Sequence, residues 1–592
     1  MSLSGLLFSL FLSLSGHAQQ TAISRGPYLQ QVTPESMTIR WRTVLPTDNR
    51  VRYGTSPGQF TQQFTDTART TEHIVRLTGL QPATRYYYSI GDGATDGTTR
   101  AYQSFTTAPP KGSSAPIRIW ALGDFGSGNQ NQRDVRDQFL KASATRPADL
   151  WLWLGDNAYC CGREQDFQQY VFDTYPTILP GLPFWPTPGN HDYADNVNNF
   201  DNAYYKLITV PQQGEAGGVP SGSKAYFSFD YGQIHFVSLD SYGLEAGKFR
   251  LYDTTGTQAE WLKRDLAANR QPWTIVFFHH PPYAKGQRNA DTDPEMTAVR
   301  QRVLPILERF NVDLVLLGHS HTYERSYQLH GFSGTYDQFD LARHAVSSTT
   351  GRYDGSANSC PIIQKGKGTV YVVNGSGGQI GGQTPGWPHP AMVYANNTIG
   401  GSMIIDVLEN RLDAKFIMAD GVTRDQFTIM KNVSRTQTLT VPYGETAHLT
   451  ASWPAQNETG PYRWSDGTVG KRTLSVAPAK SARFTVADEQ GCLQDVFDVT
   501  VLQPTGLEPG AEGRLSVFPN PTTDFVTVKL TLNAPAPIEW HLTDLQGRCV
   551  SERTYPKSGK LEDHIALPDG GKVFFLKVKA GKEVFTRKIV RN

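Results

Sequence analysis

Short runs of apolar residues, most of them bounded by glycine or proline, recur through the middle of the chain. These runs cover residues 117–122, 150–154, 184–188, 273–278 and 312–317. They are rich in β-branched and aromatic residues, which is typical of buried strands. Helical patterns lie between them, at residues 130–144, 259–269 and 297–310. This alternation predicts an α/β domain in the centre of the chain.

The segments on either side of this centre alternate apolar and polar residues instead. Residues 24–109 contain alternating stretches such as 37–41 and 86–90, with turn residues between them. Residues 438–502 repeat the pattern, and Trp453, Trp464 and Phe497 are the expected core. Short alternating strands separated by turns predict β-sandwiches. We therefore expect a multidomain chain that is mostly β outside its centre.

Candidate metal ligands follow the ends of the central strands. The seven candidates are Asp124, Asp156, Tyr159, Asn190, His279, His319 and His321, and a further histidine, His191, follows Asn190. Because α/β sheets build their sites at the carboxyl edge of the strands, these side chains are expected to meet there.

The mixture of donors indicates two metal ions. Carboxylate, phenolate and amide oxygens suit hard cations, and imidazole suits iron, zinc or manganese. Seven such groups are too many for one ion, but they fit two ions that share a bridging carboxylate. Such a pair can hold a phosphate and activate a water for in-line attack. The positive charge of a trivalent and a divalent ion would exceed the negative charge of two aspartates and one tyrosinate. The site would then carry a net positive charge that can bind a phosphate dianion.

The five motifs resemble those of purple acid phosphatases, a branch of the calcineurin-like metallophosphoesterases. The matching segments are residues 123–126, 155–159, 189–192, 276–279 and 318–321. Other members of that superfamily have a histidine two positions after the first aspartate, where this chain has Gly126. Tyr159 is the ligand that the purple branch uses instead. The resemblance implies a four-layer α/β sandwich over residues 117–431 and an Fe(III)–M(II) centre, with M zinc, manganese or iron.

The resemblance also implies a role for each residue. Asp124, Tyr159 and His321 would bind the ferric ion, and Asn190, His279 and His319 would bind the divalent ion, with Asp156 as the bridge. A metal-bound hydroxide would attack the phosphorus of a phosphomonoester. His191 would bind phosphate and help to protonate the leaving alcohol.

Other polar residues near these motifs have less defined roles. His280, Glu324 and Arg325 are candidates for contacts behind the ligands, with substrate contact as the alternative. Plant members of the family place further histidines shortly after the fourth motif, and this chain has none between His280 and His319. Lys285 or Arg288 could hold phosphate there, although a solvated loop charge is the alternative interpretation. The glycine-rich residues 375–386 are interpreted as a rim loop.

Composition limits the partners and the compartment. The chain has 592 residues, a net charge of +1 and 19% charged residues, so it lacks the basic surplus of a nucleic-acid-binding protein. Residues 1–18 resemble a signal peptide, and no later apolar run is long enough for a transmembrane helix. The five cysteines leave at least one unpaired in a monomer. Our hypothesis is a disulfide between the pair Cys160–Cys161 and Cys360.

The terminal domains have resemblances of their own. Residues 24–109 resemble a fibronectin type III module, as in large purple acid phosphatases, and residues 434–502 look Ig-like. After a linker at 504–513, the segment 517–524 resembles the opening of type IX secretion sorting domains, which implies a sorting β-sandwich over 513–592. Residues 572–592 carry seven Lys or Arg and one Glu. This resemblance implies export by the type IX machinery to the cell surface or the medium.

The sequence thus predicts a secreted acid phosphatase for organic phosphates. Two alternatives remain open at this stage. One is an enzyme directed at diesters, nucleotides or phytate. The other is a surface adhesin with a vestigial catalytic domain.

Overall fold

The computed structural model describes residues 22–91, 102–245, 247–455, 460–502, 514–569 and 572–592. The predicted signal peptide and the linker at 504–513 lie outside these residues. The chain separates into two compact units. The first unit comprises Met1–Arg435, Ala451–Arg463 and Ala487–Gln494, and the second comprises Thr436–Thr450, Trp464–Val486 and Asp495–Asn592.

The N-terminal region of the first unit is a five-stranded antiparallel sheet. Its strands are β1 (Ile23–Gln30), β2 (Ser36–Gly54), β3 (Gln62–Thr78), β4 (Arg85–Gly91) and β5 (Gln103–Thr106). The first half of β2 pairs with β1 and its second half pairs with β4, while β3 pairs with both halves. The register between β2 and β3 shifts between Arg42 and Asn49. The alternating stretch 37–41 is therefore the first part of one long, irregular strand that continues to Gly54.

Two mixed sheets form the centre of the first unit. The strands of the seven-stranded sheet, in spatial order, are β15 (Ile362–Gln364), β20 (Thr423–Lys431), β19 (Arg411–Met418), β18 (Gly401–Leu408), β6 (Ile117–Leu122), β7 (Leu150–Leu154) and β8 (Phe184–Thr187). Those of the eight-stranded sheet are β14 (Ala345–Ser347), β13 (Tyr323–Leu329), β16 (Thr369–Asn374), β12 (Leu314–Leu317), β11 (Trp273–Phe277), β10 (Ile234–Ser238) and β9 (Phe227–Tyr231), with β17 (Met392–Asn396) beside β13.

The central strands of both sheets run parallel. β6, β7 and β8 are parallel neighbours, and so are β10, β11, β12 and β16. All five residues of β7 are buried, as are all four of β12. Parallel strands are buried on both faces, which explains their unbroken apolar sequences.

The faces of the eight-stranded sheet contribute to different cores. Ile275 and Phe277 of β11 belong to the core shared with the seven-stranded sheet. Val276 and Phe278 belong to a second core that contains Trp261 and residues of the helical segment after residue 293. The side-chain alternation along β11 therefore places another strand layer on one face and helices on the other.

The helices connect the strands. They are α1 (Gln130–Ala142), α2 (Glu164–Phe167), α3 (Ala203–Leu207), α4 (Thr257–Ala268), α5 (Pro294–Ala298), α6 (Leu304–Arg309) and α7 (Leu341–His344). A π-helical turn, Val299–Val303, joins α5 to α6. Helices are thus present in all three segments where the sequence pattern predicts them. The side chain of Asp293 caps α5 by accepting from the Met296 N–H, and Pro294 occupies the first turn.

The C-terminal region is formed by strands. The first group is β21 (Thr436–Pro442), β26 (Gln494–Leu502), β25 (Ala482–Ala487) and β23 (Arg463–Trp464) in one sheet, with β22 (Ala447–Thr450) and β24 (Thr473–Val476) in another. The last sheet has the order β27 (Leu515–Phe518), β28 (Phe525–Thr543), β30 (Val573–Ala580) and β31 (Glu583–Val590), with β29 (Cys549–Ala566) beside β28. The expected core residues Trp453, Trp464 and Phe497 are all buried.

The multidomain organisation predicted from the sequence is confirmed at this level, with an α/β centre and a mostly β C-terminal region. Within the described residues, none of the helices has the length and apolar composition needed to cross a membrane.

Candidate metal centre

The predicted ligands follow the carboxyl ends of parallel strands in both central sheets. Asp124 lies two residues after β6, Asp156 two after β7 and Asn190 three after β8. His279 and His319 each lie two residues after β11 and β12. Because each group of strands is parallel, its ligands emerge at one edge. The seven-stranded sheet therefore contributes Asp124, Asp156 and Asn190. The eight-stranded sheet contributes His279 and His319.

Three of these residues have a left-handed backbone. The φ angles of Asp124, Asp156 and His319 are 55°, 49° and 66°. Non-glycine residues in this region cost roughly 1–3 kcal/mol each, and such strain is concentrated at functional sites. Each turn aims its ligand back across the strand ends, and the His319 N–H donates to Asp124 Oδ2 over 2.9 Å. The backbone thereby connects the two halves of the centre.

One cluster of donor atoms surrounds the Tyr159 hydroxyl. This hydroxyl lies 2.9 Å from Asp124 Oδ1, 3.2 Å from Asp156 Oδ2 and 3.2 Å from His321 Nε2. His321 Nε2 is also 3.5 Å from Asp124 Oδ1. Two carboxylates, a phenol and an imidazole therefore direct one atom each at a common point. Asp124, Tyr159 and His321 are the residues that the family resemblance assigns to the ferric ion, with Asp156 as the bridge.

A second cluster shares Asp156 with the first. His279 Nε2 lies 3.2 Å from Asp156 Oδ2, and His319 Nδ1 lies 3.3 Å from His279 Nε2. Ligand atoms of these three residues all lie within 4.8 Å of one another. Asn190 Oδ1 is buried and has no hydrogen-bond partner among the described residues. Since unpaired buried carbonyl oxygens are costly, this atom fits a metal ligand.

Backbone groups fix the orientation of the ligands. His279 Nδ1 lies 2.9 Å from the Leu154 carbonyl oxygen, to which it donates, so Nε2 is the nitrogen left for a ligand role. Asp156 Oδ1 accepts from the His191 N–H at 2.9 Å, and Asp124 Oδ2 accepts from His319. Each carboxylate thus uses one oxygen in the protein and directs the other into the clusters.

The charges of the site depend on one another. Burial favours the neutral form of Asp156, but the charges of His279 and His191 hold its pKa well below the usual range. Burial lowers the pKa of His279, yet the carboxylates of Asp156 and Asp124 outweigh it and raise the value to about 9. Burial and the same carboxylates raise the pKa of Tyr159 well above normal. Bound cations would reverse the effect on Tyr159 by favouring the phenolate.

His191 is at the rim of the centre. Its side chain is 24% exposed, whereas Asp156 beside it is buried. Its Nδ1 donates to the Cys160 carbonyl oxygen at 2.7 Å, and its Nε2 lies 3.9 Å from Asp156 Oδ2. The ring centre is 4.8 Å from that of Tyr159. His191 can therefore reach both solvent and a molecule bound at the clusters.

The three residues expected behind the ligands are all buried. His280 contacts the ring of His319 at 4.2 Å between centres, and its Nδ1 bonds Ser241 Oγ at 2.8 Å. Arg325 forms a two-pronged ion pair with the buried Asp425. Glu324 accepts from backbone N–H groups of the loop after β11. Glu324 and Arg325 thus use their charged groups within the protein, and His280 does so through Nδ1.

The glycine-rich segment is closer to the centre than the rim-loop interpretation implies. Gly375, Gly377 and Gly378 are buried. A Cβ at Gly375 would lie 2.2 Å from the Ser320 carbonyl oxygen and 2.8 Å from Asp124 Oδ2. Glycine is therefore needed for backbone to pass directly against two ligand loops.

Sequence reasoning missed Asp192, which connects two ligand loops. Its carboxylate accepts from the N–H groups of Gly189 and Asn157 and from the Asn157 side chain. Burial and the charge of Asp156 raise its pKa to about 7. The available signal was its position beside Asn190 and His191 in the third motif, where an acidic residue can accept from the turn.

The disulfide hypothesis is wrong. Cys360 pairs with Cys492, 132 residues later, at a Cα–Cα distance of 5.4 Å. Cys160 and Cys161 pair with each other instead. Cys549 is free and exposed. The sequence had placed Cys492 in a different domain, and the structure places the segment Ala487–Gln494 within the first unit.

Comparisons with known families agree with this geometry. Residues 117–323 match the calcineurin-like phosphoesterase family, and residues 26–107 match the N-terminal domain of purple acid phosphatases. Residues 516–592 match a secretion system C-terminal sorting domain. The predicted resemblance to purple acid phosphatases is confirmed.

Individual purple acid phosphatases are similar over part of their length. Purple acid phosphatase 15 of Arabidopsis thaliana is 30% identical over 286 residues, which are 44% of this chain and 50% of that protein. Purple acid phosphatase 21 of the same plant is 30% identical over 43% of this chain and 53% of its own length. The chain thus spans about half the length of these curated relatives.

A solved structure shows the same fold. The purple acid phosphatase isolated from yellow lupin (Lupinus luteus) seeds superposes with a TM-score of 0.54 at 18% identity. The match covers 69% of this chain and 75% of the lupin protein.

Proposed function

We propose that this protein is a secreted purple acid phosphatase that hydrolyses phosphomonoesters at a binuclear Fe(III)–M(II) centre. The observation that carries the proposal is the convergence of two donor clusters on Asp156. Asp124, Tyr159 and His321 complete one cluster, and His279 and His319 complete the other. We assign Asn190 to the second cluster because its Oδ1 is buried without a hydrogen-bond partner among the described residues.

The donor set fits two unlike ions. Asp124 Oδ1, the Tyr159 oxygen and His321 Nε2 form a hard, negatively charged group, which suits a trivalent ion. Asn190, His279 and His319 supply neutral donors, which suit zinc, manganese or ferrous iron. Asp156 contributes to both groups. The two ions would supply Lewis acidity, an activated water and positive charge for the phosphate.

The protein contributes orientation and proton transfer. The strained turns of Asp124, Asp156 and His319 hold the ligand atoms in place before substrate binds. Because His191 Nδ1 donates to the Cys160 carbonyl oxygen, Nε2 remains available to a leaving-group oxygen. In this mechanism His191 binds the phosphate and protonates the departing alcohol.

The flanking regions have separate proposed roles. We assign residues 24–109 to a fibronectin type III-like module, 117–431 to a four-layer catalytic sandwich and 434–502 to an Ig-like sandwich. The match of residues 516–592 to a sorting domain supports export, with 1–18 as the signal peptide. The proposed partners are an organic phosphate substrate and the type IX secretion machinery.

The test uses the purified full-length protein. Iron and a divalent metal near one equivalent each, a visible absorption band and hydrolysis of p-nitrophenyl phosphate are expected. Chelation should remove activity, and adding back iron with zinc or manganese should restore it. Colourless, iron-free protein that stays inactive after metal loading would refute the proposal and favour the adhesin alternative.

A further inference from the structure

We propose that Arg288 is a phosphate-binding residue that selects dianionic phosphomonoesters over monoanionic diesters. The inference rests on the proposed phosphatase function and adds a specificity determinant to the same site. Its basis is the position of the loop after β11 against the last ligand motif.

The loop that carries Arg288 lies directly on the Ser320–Thr322 turn between two ligands. The Arg288 N–H approaches Ser320 Oγ at 3.5 Å. A Cβ on Gly286 would lie 2.4 Å from the Thr322 side chain, and a Cβ on Gly381 would lie 2.5 Å from Gln287 and 3.0 Å from His321. No space separates the loop from the ligand turn. Arg288 is therefore held beside the centre.

Buried ionic contacts make this loop rigid. Lys285 is 2% exposed, and its Nζ lies 2.8 Å from both Asn289 Oδ1 and Asp291 Oδ2. Arg300 pairs with the other oxygen of Asp291 at 3.1 Å. The Glu324 carboxylate accepts the Lys285 N–H at 3.1 Å. Lys285, the other phosphate-binding candidate, is thus committed to the loop itself.

The guanidinium of Arg288 is not committed in this way. Its Nε is buried without a hydrogen-bond partner, and no carboxylate among the described residues lies within 4.0 Å of its nitrogens. A buried donor without a partner, beside a cluster of ligands, points to an anionic ligand.

An arginine at this place has a defined chemical consequence. The guanidinium presents several N–H donors in a planar fork that matches phosphate oxygens, and it keeps its charge at physiological pH. It therefore binds the phosphoryl group without serving as a proton donor. That task is left to His191. A fixed extra charge favours a dianion over a monoanion.

The test compares Arg288→Ala with the wild-type holoenzyme. The variant loses charge-assisted hydrogen bonds to the phosphate, so KM for p-nitrophenyl phosphate and the Ki for inorganic phosphate should each rise about tenfold or more. We expect kcat to change less than about threefold, and kcat/KM for bis(p-nitrophenyl) phosphate to fall less than that for the monoester. Arg288→Lys should retain part of the phosphate affinity.

Two controls separate a specific contact from a disturbed loop. Gln287→Ala changes an exposed neighbour, and Arg270→Ala removes an exposed charge just before β11, at the opposite end of that strand from His279. Both should retain wild-type KM and Ki. Calorimetric titration of metal-loaded protein with inorganic phosphate measures the same contact without turnover, so failure of the proposed function would be seen separately. Equal phosphate affinity in Arg288→Ala and wild type, with equal metal content, would overturn the inference.

Discussion

The central sheets and the C-terminal sheet use their strands in opposite ways. Every residue of β7 and β12 is buried, whereas β30 alternates buried and exposed residues along its length. In the centre, both faces of the strands are occupied by other layers, and polar side chains gather beyond the strand ends. In residues 514–592, one face packs into a closed core and the other carries the polar residues.

This difference separates chemistry from surface recognition. Buried sheets provide rigid ends at which charged ligands can be held out of water, as the burial of Asp124 and Asp156 shows. A sheet with one exposed face provides a surface instead, and residues 572–592 make that surface basic. Substitutions at the ends of the central strands should therefore abolish phosphatase activity. Changes in the C-terminal sheet should affect only secretion of the protein.

The largest expected effect comes from Asp156→Asn. Because Asp156 lies in both donor clusters, this change should weaken binding of both metals. We expect kcat/KM for p-nitrophenyl phosphate to fall on the order of a thousandfold or more, since metal stabilisation of the transition state is worth several kcal/mol. Metal analysis and steady-state assays measure the effect.

The matched control is Asp134→Asn, which changes an acidic residue on α1 that accepts a hydrogen bond from the Gln130 side chain. It should leave metal content and rate unchanged. Two bound metals and a near-normal rate in Asp156→Asn would contradict the bridging assignment.

The positions of the candidate ligands could be predicted from sequence because they depend on local patterns. A buried strand followed by a glycine and a polar residue identifies Asp124, Asp156 and His319, and the fold then brings them together. Asp192 and the glycines at 375–378 were missed or misinterpreted for a different reason. Their roles depend on contacts between loops that are distant in sequence, such as Gly375 against Ser320.

The disulfide error has the same origin. Pairing between Cys360 and Cys492 requires that residues 487–494 pack with the first unit. The alternating pattern of 438–502 gives no sign of that, because it specifies strands and not the surface on which a turn lies. The position of a strand can be predicted from neighbouring residues in the sequence. The packing of a turn depends on residues that are distant in the sequence.

The second prediction concerns Tyr159→Phe. Removing the hydroxyl that lies between Asp124 and Asp156 should abolish the visible absorption band, which we assign to charge transfer between the Tyr159 phenolate and the ferric ion. It should also lower the affinity for iron. A loss of activity of about 10–100-fold is expected, as for other changes that disturb a metal site. Absorption spectra and iron analysis measure it, with Tyr252→Phe as the control. A variant that keeps the colour would remove the tyrosinate assignment.

The third prediction concerns the stability of the first unit. The double variant Cys360→Ser, Cys492→Ser releases a loop of 132 residues. It should lower stability by about 2–4 kcal/mol, and so lower the thermal midpoint, while kcat/KM at 25 °C changes little. Differential scanning fluorimetry is the measurement. Cys549→Ser, at the free exposed cysteine, should have no effect. An unchanged midpoint in the double variant would show that the bridge adds nothing.

A smaller effect on the free energy of unfolding is expected from the titration of His235, a buried residue of β10. Its ring nitrogens lie 2.8 Å from both Asp230 and Asp265. Burial lowers its pKa, but these carboxylates raise it to about 9. Because the folded pKa exceeds the unfolded value, the stabilisation is complete below about pH 6.5 and is lost as pH rises through 9.

The measurement is the thermal midpoint of wild type and His235→Gln between pH 6 and pH 10. Over this interval the free energy of unfolding of the wild type should fall by up to about 3 kcal/mol more than that of the variant, which lowers its thermal midpoint further. Lys111, whose Nζ pairs with Asp230, is present in both proteins, so its contribution is common to the two curves. Parallel curves for the two proteins would contradict the assignment.

The smallest effect on chemistry is expected from deleting residues 503–592. All the proposed ligands and the groups that orient them lie between Asp124 and Asp425, and Cys492 is retained. The strands after residue 514 close a core of their own. We expect metal content and kcat/KM within about twofold of the full chain, because elements with separate cores contribute independently to stability. In cells the deleted form should remain in the periplasm. A large loss of kcat/KM with retained metals would show that the C-terminal strands take part in catalysis, and the division between buried chemistry and exposed recognition would fail.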